Sequence, residues 1–161
     1  MMGIFKKVLN KRKFELCAPV AGEVIPLKEV DDPTFAMEMV GKGVAIRPAE
    51  DKVVAPCNGK VDMVFETGHA ITLLADCGAE ILIHIGLDTV SLKGEHFSAK
   101  VKSGDAVTKG DVLITFDREA IAAAGHDTVT PVLVCNPEHF DTLKTHTGKL
   151  AAAGDPVIEL A

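Results

Sequence analysis

Of the six histidines in this chain, two stand apart by position. His84 lies inside Glu80-Ile-Leu-Ile-His-Ile-Gly86, an otherwise apolar run, and His69 opens the preceding run after Glu66-Thr67-Gly68. A neutral imidazole is a good nucleophile near pH 7, because its unperturbed pKa of about 6.5 leaves most of it unprotonated. A second imidazole beside it can hydrogen-bond a transferred anion and stabilise it. The pair thus reads either as a nucleophile with its support or as two ordinary histidines on a solvated strand face. The other four, His96, His126, His139 and His146, fall in no motif and read as solvated loop residues.

Strand parity decides between the two readings. Asp76-Cys-Gly-Ala79 looks like the turn joining two strands. If Ala75 pairs with Glu80, His84 faces Ile71, and His69 lies two residues along the same face. The Cα atoms are then about 7–8 Å apart on the diagonal, close enough for side chains to converge. A one-residue slip would send the two rings to opposite faces.

Other chemistries find no footing. No GxxxxGK[ST] loop and no acidic metal cluster occurs. A zinc peptidase of this architecture needs an H-x-H pair, but Leu82 stands where its first histidine would be. A biotinyl or lipoyl carrier needs a lysine at a hairpin tip, and Ala36-Met-Glu-Met-Val40 offers Glu38. The cysteines Cys17, Cys57, Cys77 and Cys135 are far apart in sequence with no CxxC, which suits buried, reduced thiols of a cytosolic protein.

The elements that must position the histidines are strands. From residue 17 onward, short β-branched runs are punctuated by Gly, Pro, Asn and Asp, as in an all-β sandwich or barrel. The spacing predicts strands over 20–27, 43–47, 52–55, 60–65, 70–75, 80–85, 97–101, 112–116, 131–135 and 157–160. One helix is expected over Arg118–Ala124, capped by Asp117 and stopped by Gly125. The pattern A-P-x-x-G-x-V occurs at Ala18–Val24 and again at Ala55–Val61, which suggests two duplicated halves of one β structure. A Gly-Asp turn recurs within Val101–Leu113, as in barrel-sandwich folds; it marks a fold element and no chemistry.

Aromatic residues make up 4% of the 161, with no Trp and no Tyr, which argues against base-stacking nucleic-acid modules. Five of the 17 basic residues fall in residues 1–13 with no acid among them, leaving 12 basic against 23 acidic residues in the body. Such a body disfavours nucleic acid and suits basic protein partners. No stretch reaches the roughly 18 apolar residues of a membrane span, and the basic start lacks a secretory signal's apolar segment. A cytoplasmic protein follows, with a basic tail over residues 1–16 and one domain over 17–161. Within the tail, Ile4, Phe5, Val8 and Leu9 gather on one helical face flanked by lysines, so residues 2–13 read as a weak membrane-surface helix or a solvated terminus.

Four segments carry a resemblance: Asp32-Pro-Thr-Phe-Ala-Met-Glu-Met-Val-Gly-Lys-Gly-Val-Ala-Ile46, Val54–Val61, Phe65–Ala70 and Leu82–Val90. With Leu92–Glu95 and Val129–Val132, they resemble the glucose-type enzyme IIA component of the bacterial sugar phosphotransferase system. The resemblance spans about residues 17–161. It implies an antiparallel β-sandwich of the duplicated hybrid motif, with minimal helix. It also implies phosphoryl relay without a cofactor, from the phosphohistidine of the carrier HPr to a cysteine of enzyme IIB. By motif, His84 takes the phosphoryl group, His69 supports it, and Thr67 hydrogen-bonds the supporting ring. Phe35, Met37, Met39, Val40, Phe65, Ile71, Leu82 and Val90 are expected to form an apolar rim facing these partners or, for about half of them, to pack in the core, with Asp32 and Asp88 meeting basic residues of HPr. The resemblance allows His69 and His84 to share zinc when a partner adds a ligand.

Overall fold

A computed structural model describes residues 12–161. The largest sheet has eight strands, in the order β13 (Lys149–Ala151), β2 (Gly22–Pro26), β3 (Lys42–Pro48), β11 (Thr130–Val134), β7 (Glu80–His84), β6 (Ala70–Ala75), β5 (Gly59–Val64) and β9 (Ala106–Val107). Two three-stranded sheets accompany it. One runs β1 (Phe14–Cys17), β14 (Pro156–Leu160), β12 (Leu143–Thr145); the other runs β4 (Lys52–Val54), β10 (Val112–Phe116), β8 (Phe97–Ala99). Every pairing is antiparallel. The all-β sandwich expected from the sequence is the observed fold.

The sheet order is symmetric: β13 matches β9, β2 matches β5, β3 matches β6 and β11 matches β7. The sequence echo sits on that symmetry. Cys17 N donates to Pro56 O at 2.9 Å, and Val54 N donates to Pro19 O at 2.8 Å, so each copy bonds the other reciprocally. Gly148 N bonds Val24 O at 2.8 Å, as Gly104 N bonds Val61 O at 2.9 Å. The two halves are duplicated in space as they are in sequence.

Alternation along β6 and β7 builds the core, since successive side chains point to opposite faces. Ile71, Leu73, Ile81 and Ile83 enter the main core, while Ala70 and Leu82 face a second apolar cluster. That second cluster is roofed by Leu27, Val30 and Phe35, the last from a short helix α1 (Pro33–Ala36). Asp32 caps α1 by accepting from Thr34 N at 3.0 Å, with Pro33 in the first turn, where its missing N–H costs nothing. The one helix expected from the sequence is α2 (Arg118–Ala123), with Asp117 as its cap, accepting from Ala120 N at 3.0 Å.

Strands β1, β9, β12 and β13 and helix α1 escape the sequence reading; with 2–4 residues each they carry no measurable period. Strand β1 begins at Phe14, three residues ahead of the boundary expected at 17, because its ladder with β14 starts at Phe14↔Leu160. The expected surface helix over 2–13 falls, up to residue 11, outside the described residues.

Candidate functional site

His84 ends β7 and points to the face opposite Ile83, over the second apolar cluster. Two residues on, Gly86 adopts φ 78° and returns its carbonyl toward the ring, where His84 Nδ1 donates to it at 2.8 Å. That bond fixes the tautomer, with the proton on Nδ1 and the lone pair on Nε2. A Cβ at position 86 would stand 2.6 Å from Thr89 Cγ2 and 2.9 Å from Asp127 O. The turn is pinned from both sides, by Gly86 N on Val129 O at 3.0 Å and by the Thr89 hydroxyl on Ile85 O at 2.5 Å.

The β6–β7 register differs from the expected one by a single residue. Leu74, not Ala75, pairs with Glu80, so His84 faces Ala70 rather than Ile71. Strand parity alone would then separate the two imidazoles, yet their centroids lie 4.9 Å apart at 83°. The reason is that His69 precedes β6, in the bend after Gly68 (φ 71°), where alternation no longer sets side-chain direction. The same slip corrects the expected rim. Ile71 pairs with Ile83 inside the main core and is 0% exposed, so it cannot touch a partner.

His69 is only 3% exposed. Its Nδ1 lies 2.5 Å from Thr67 Oγ1; with the hydroxyl donating, the ring proton sits on Nε2 as a donor. Burial, and then the neighbouring His84, push the His69 pKa down to about 4. Burial also lowers His84, against the upward pull of the Gly86 carbonyl and the Asp32 carboxylate. Phe35 packs on His84 with centroids 5.1 Å apart, and Phe65 packs on His69 at 5.4 Å. Chemically, the site holds a lone pair on one neutral ring beside an N–H on the other.

Around the pair, Met37, Met39, Val40 and Val90 are exposed, Phe65 is half-buried, and Phe35 and Leu82 are buried beneath them. Asp32 is half-buried and Asp88 exposed, the latter in a left-handed conformation at φ 57°. No third His, Cys, Asp or Glu joins the two rings into a metal-holding group among the described residues. Sequence reasoning missed His126. Its Nδ1 donates to Leu87 O at 3.0 Å and so braces the loop that carries Asp88; no motif marks it. The cysteines are free thiols as expected, but not all are buried. Cys17 is buried, but Cys57, Cys77 and Cys135 are half-buried, and all four are free.

Comparison with known proteins gives the family and the fold. The family model described as phosphoenolpyruvate-dependent sugar phosphotransferase system, EIIA 1, matches residues 14–140. A glucose-specific EIIA component of Oceanobacillus iheyensis is 44% identical over 153 residues, covering 94% of this chain and 93% of that protein. A beta-glucoside-specific EIIBCA component of Bacillus subtilis is 52% identical over 123 residues, which are 76% of this chain but 20% of that protein. The solved glucose permease IIA from Mycoplasma capricolum superposes with a TM-score of 0.84 at 34% identity, over 92% of this chain and 96% of that one. This chain belongs to the EIIA 1 family of the phosphoenolpyruvate-dependent sugar phosphotransferase system.

Proposed function

We propose that residues 14–161 form a cytoplasmic phosphocarrier domain that accepts a phosphoryl group from phospho-HPr on His84 Nε2 and passes it to a cysteine of enzyme IIB. The observation that carries this reading is the His84 Nδ1–Gly86 O bond of 2.8 Å, which leaves Nε2 unprotonated beside the His69 ring. In the forward step the Nε2 lone pair attacks phosphorus, and the P–N bond to the donor imidazole breaks. One imidazole replaces another, so the transfer is close to balanced. Negative charge spread over the phosphoryl oxygens meets the His69 Nε2–H, which the Thr67 hydroxyl holds in the donor tautomer. With little covalent work left to the protein, docking of the exposed Met37, Met39 and Val90 surface supplies the positioning.

The test is transfer from phospho-HPr to the wild type, His84→Ala and His69→Gln. Acid-labile label should vanish in His84→Ala; label remaining there overturns the assignment. His69→Gln should still accept phosphate but pass it poorly to IIB, whereas equal onward rates would remove His69 from the mechanism.

A further inference from the structure

Three of the four cysteines, distant in sequence, meet at the end of the β5–β6 hairpin remote from the histidines. Gly59 pairs with Ala75, and one step outward Asp76 N donates to Asn58 O at 3.1 Å. Just beyond it, Cys57 sits in the bend before β5 and Cys77 in the turn after β6. The two thiols are close enough to feel each other's charge, with Cys77 and Cys17 both raising the Cys57 pKa. Both thiols are half-buried and line one cavity of about 260 Å³ with Lys13, Phe14, Leu16 and Asp76. Cys17 lies behind them, its N–H on Pro56 O at 2.9 Å. Cys135 lines a different cavity, with Thr72 and Glu80.

We propose that Cys57 and Cys77 are a dithiol–disulfide couple, closed by a hydroperoxide and reopened by thiols. Burial, then the Cys77 thiol and the Asp76 carboxylate, push Cys57 up to about 12, so at neutral pH Cys57 keeps its proton. Cys77 therefore attacks first: its sulfur takes the distal peroxide oxygen, the O–O bond breaks, and water leaves from hydrogen peroxide. Cys57 sulfur then attacks the sulfenic sulfur, and its proton departs with the hydroxyl as a second water. Two thiols and one peroxide become one disulfide and two waters. The segment enclosed between the two sulfurs contains Thr67 and His69, so the link would hold the ends of the hairpin that carries the supporting histidine. The inference is independent of the phosphoryl reading.

The test treats the reduced full-length protein with one equivalent of hydrogen peroxide, alkylates the remaining thiols and maps the peptides. Expected are a mass lower by about two hydrogens, a Cys57–Cys77 peptide and alkylation of Cys17 and Cys135. The linked form should melt roughly 6–12 °C higher, from closing a loop of about 20 residues. Cys135→Ser should still form the link. Two results overturn the proposal: Cys57 and Cys77 both recovered unlinked, whether alkylated or oxidised singly, or a link that runs to Cys17 or Cys135. Mapping the wild type decides the matter even if Cys57→Ser or Cys77→Ser fails to fold.

Discussion

Keeping His69 neutral under Phe65 and beside His84 makes the fold acid-sensitive, and burial of His84 acts in the same direction. Unfolded, its imidazole titrates near 6.5; folded, it does so near 4. As pH falls through that window the unfolded chain takes up a proton that the folded one refuses, so stability is lost on acidification and regained as pH rises. The loss has an upper bound of about 3 kcal/mol. Urea unfolding at pH 7 and pH 4.5 should show a smaller pH difference in His69→Gln than in the wild type. An identical difference in both would mean that His69 is not the group responsible. Thr67→Val tests the partner hydroxyl: onward transfer to IIB should slow about tenfold, the worth of one hydrogen bond to a developing charge, with phosphate acceptance retained. The candidate site's His69, His84 and Thr67 were legible in the sequence because their motif context is dense. Which neighbours face outward was less legible. The resemblance puts Ile71 on the docking face, whereas its rung opposite Ile83 turns it into the main core.

That register lives in a turn. The β6–β7 loop closes with Ala75 N on Ala79 O at 2.9 Å, leaving three residues at the tip with Gly78 left-handed at φ 94°. A three-residue loop ending in a left-handed glycine is a common hairpin closure, but the composition of Asp76–Ala79 serves a four-residue loop equally well. Strands long enough to alternate were readable; β1, β9, β12 and β13, which pair through backbone and edge contacts, were not. Two substitutions test the elements. Ile71→Ala should cost about 2–5 kcal/mol in unfolding experiments as a core cavity, with little change in HPr binding. The reverse pattern, intact stability with weakened binding, would restore Ile71 to the rim. Gly86→Ala must fit a Cβ against Thr89 Cγ2 and Asp127 O at positive φ. Phosphate acceptance should fall more than stability does, because the carbonyl that orients His84 is displaced.

At the scale of the molecule, charge is divided between a basic start and an acidic body. Five basic residues near an anionic bilayer contribute about 1 kcal/mol each at most, enough for weak, salt-sensitive attachment. Removal of the residues before Phe14 should abolish co-sedimentation with anionic vesicles at low salt and leave phosphate acceptance intact. Full-length protein that stays in the supernatant would refute the idea. The ladder between β1 and β14 bears on attachment in another way. Phe14 lies directly across from Leu160, so the chain enters and leaves the fold on one rung. A tether fixed to either end pulls on that rung rather than across the body. The domain can therefore hang from a larger protein by its first strand or its last without changing how it sits. It follows that a short linker joining the two ends, with a new opening at the exposed Ser103–Gly104 tip, should give a circularly permuted chain that melts within a few degrees of the original and still accepts phosphate.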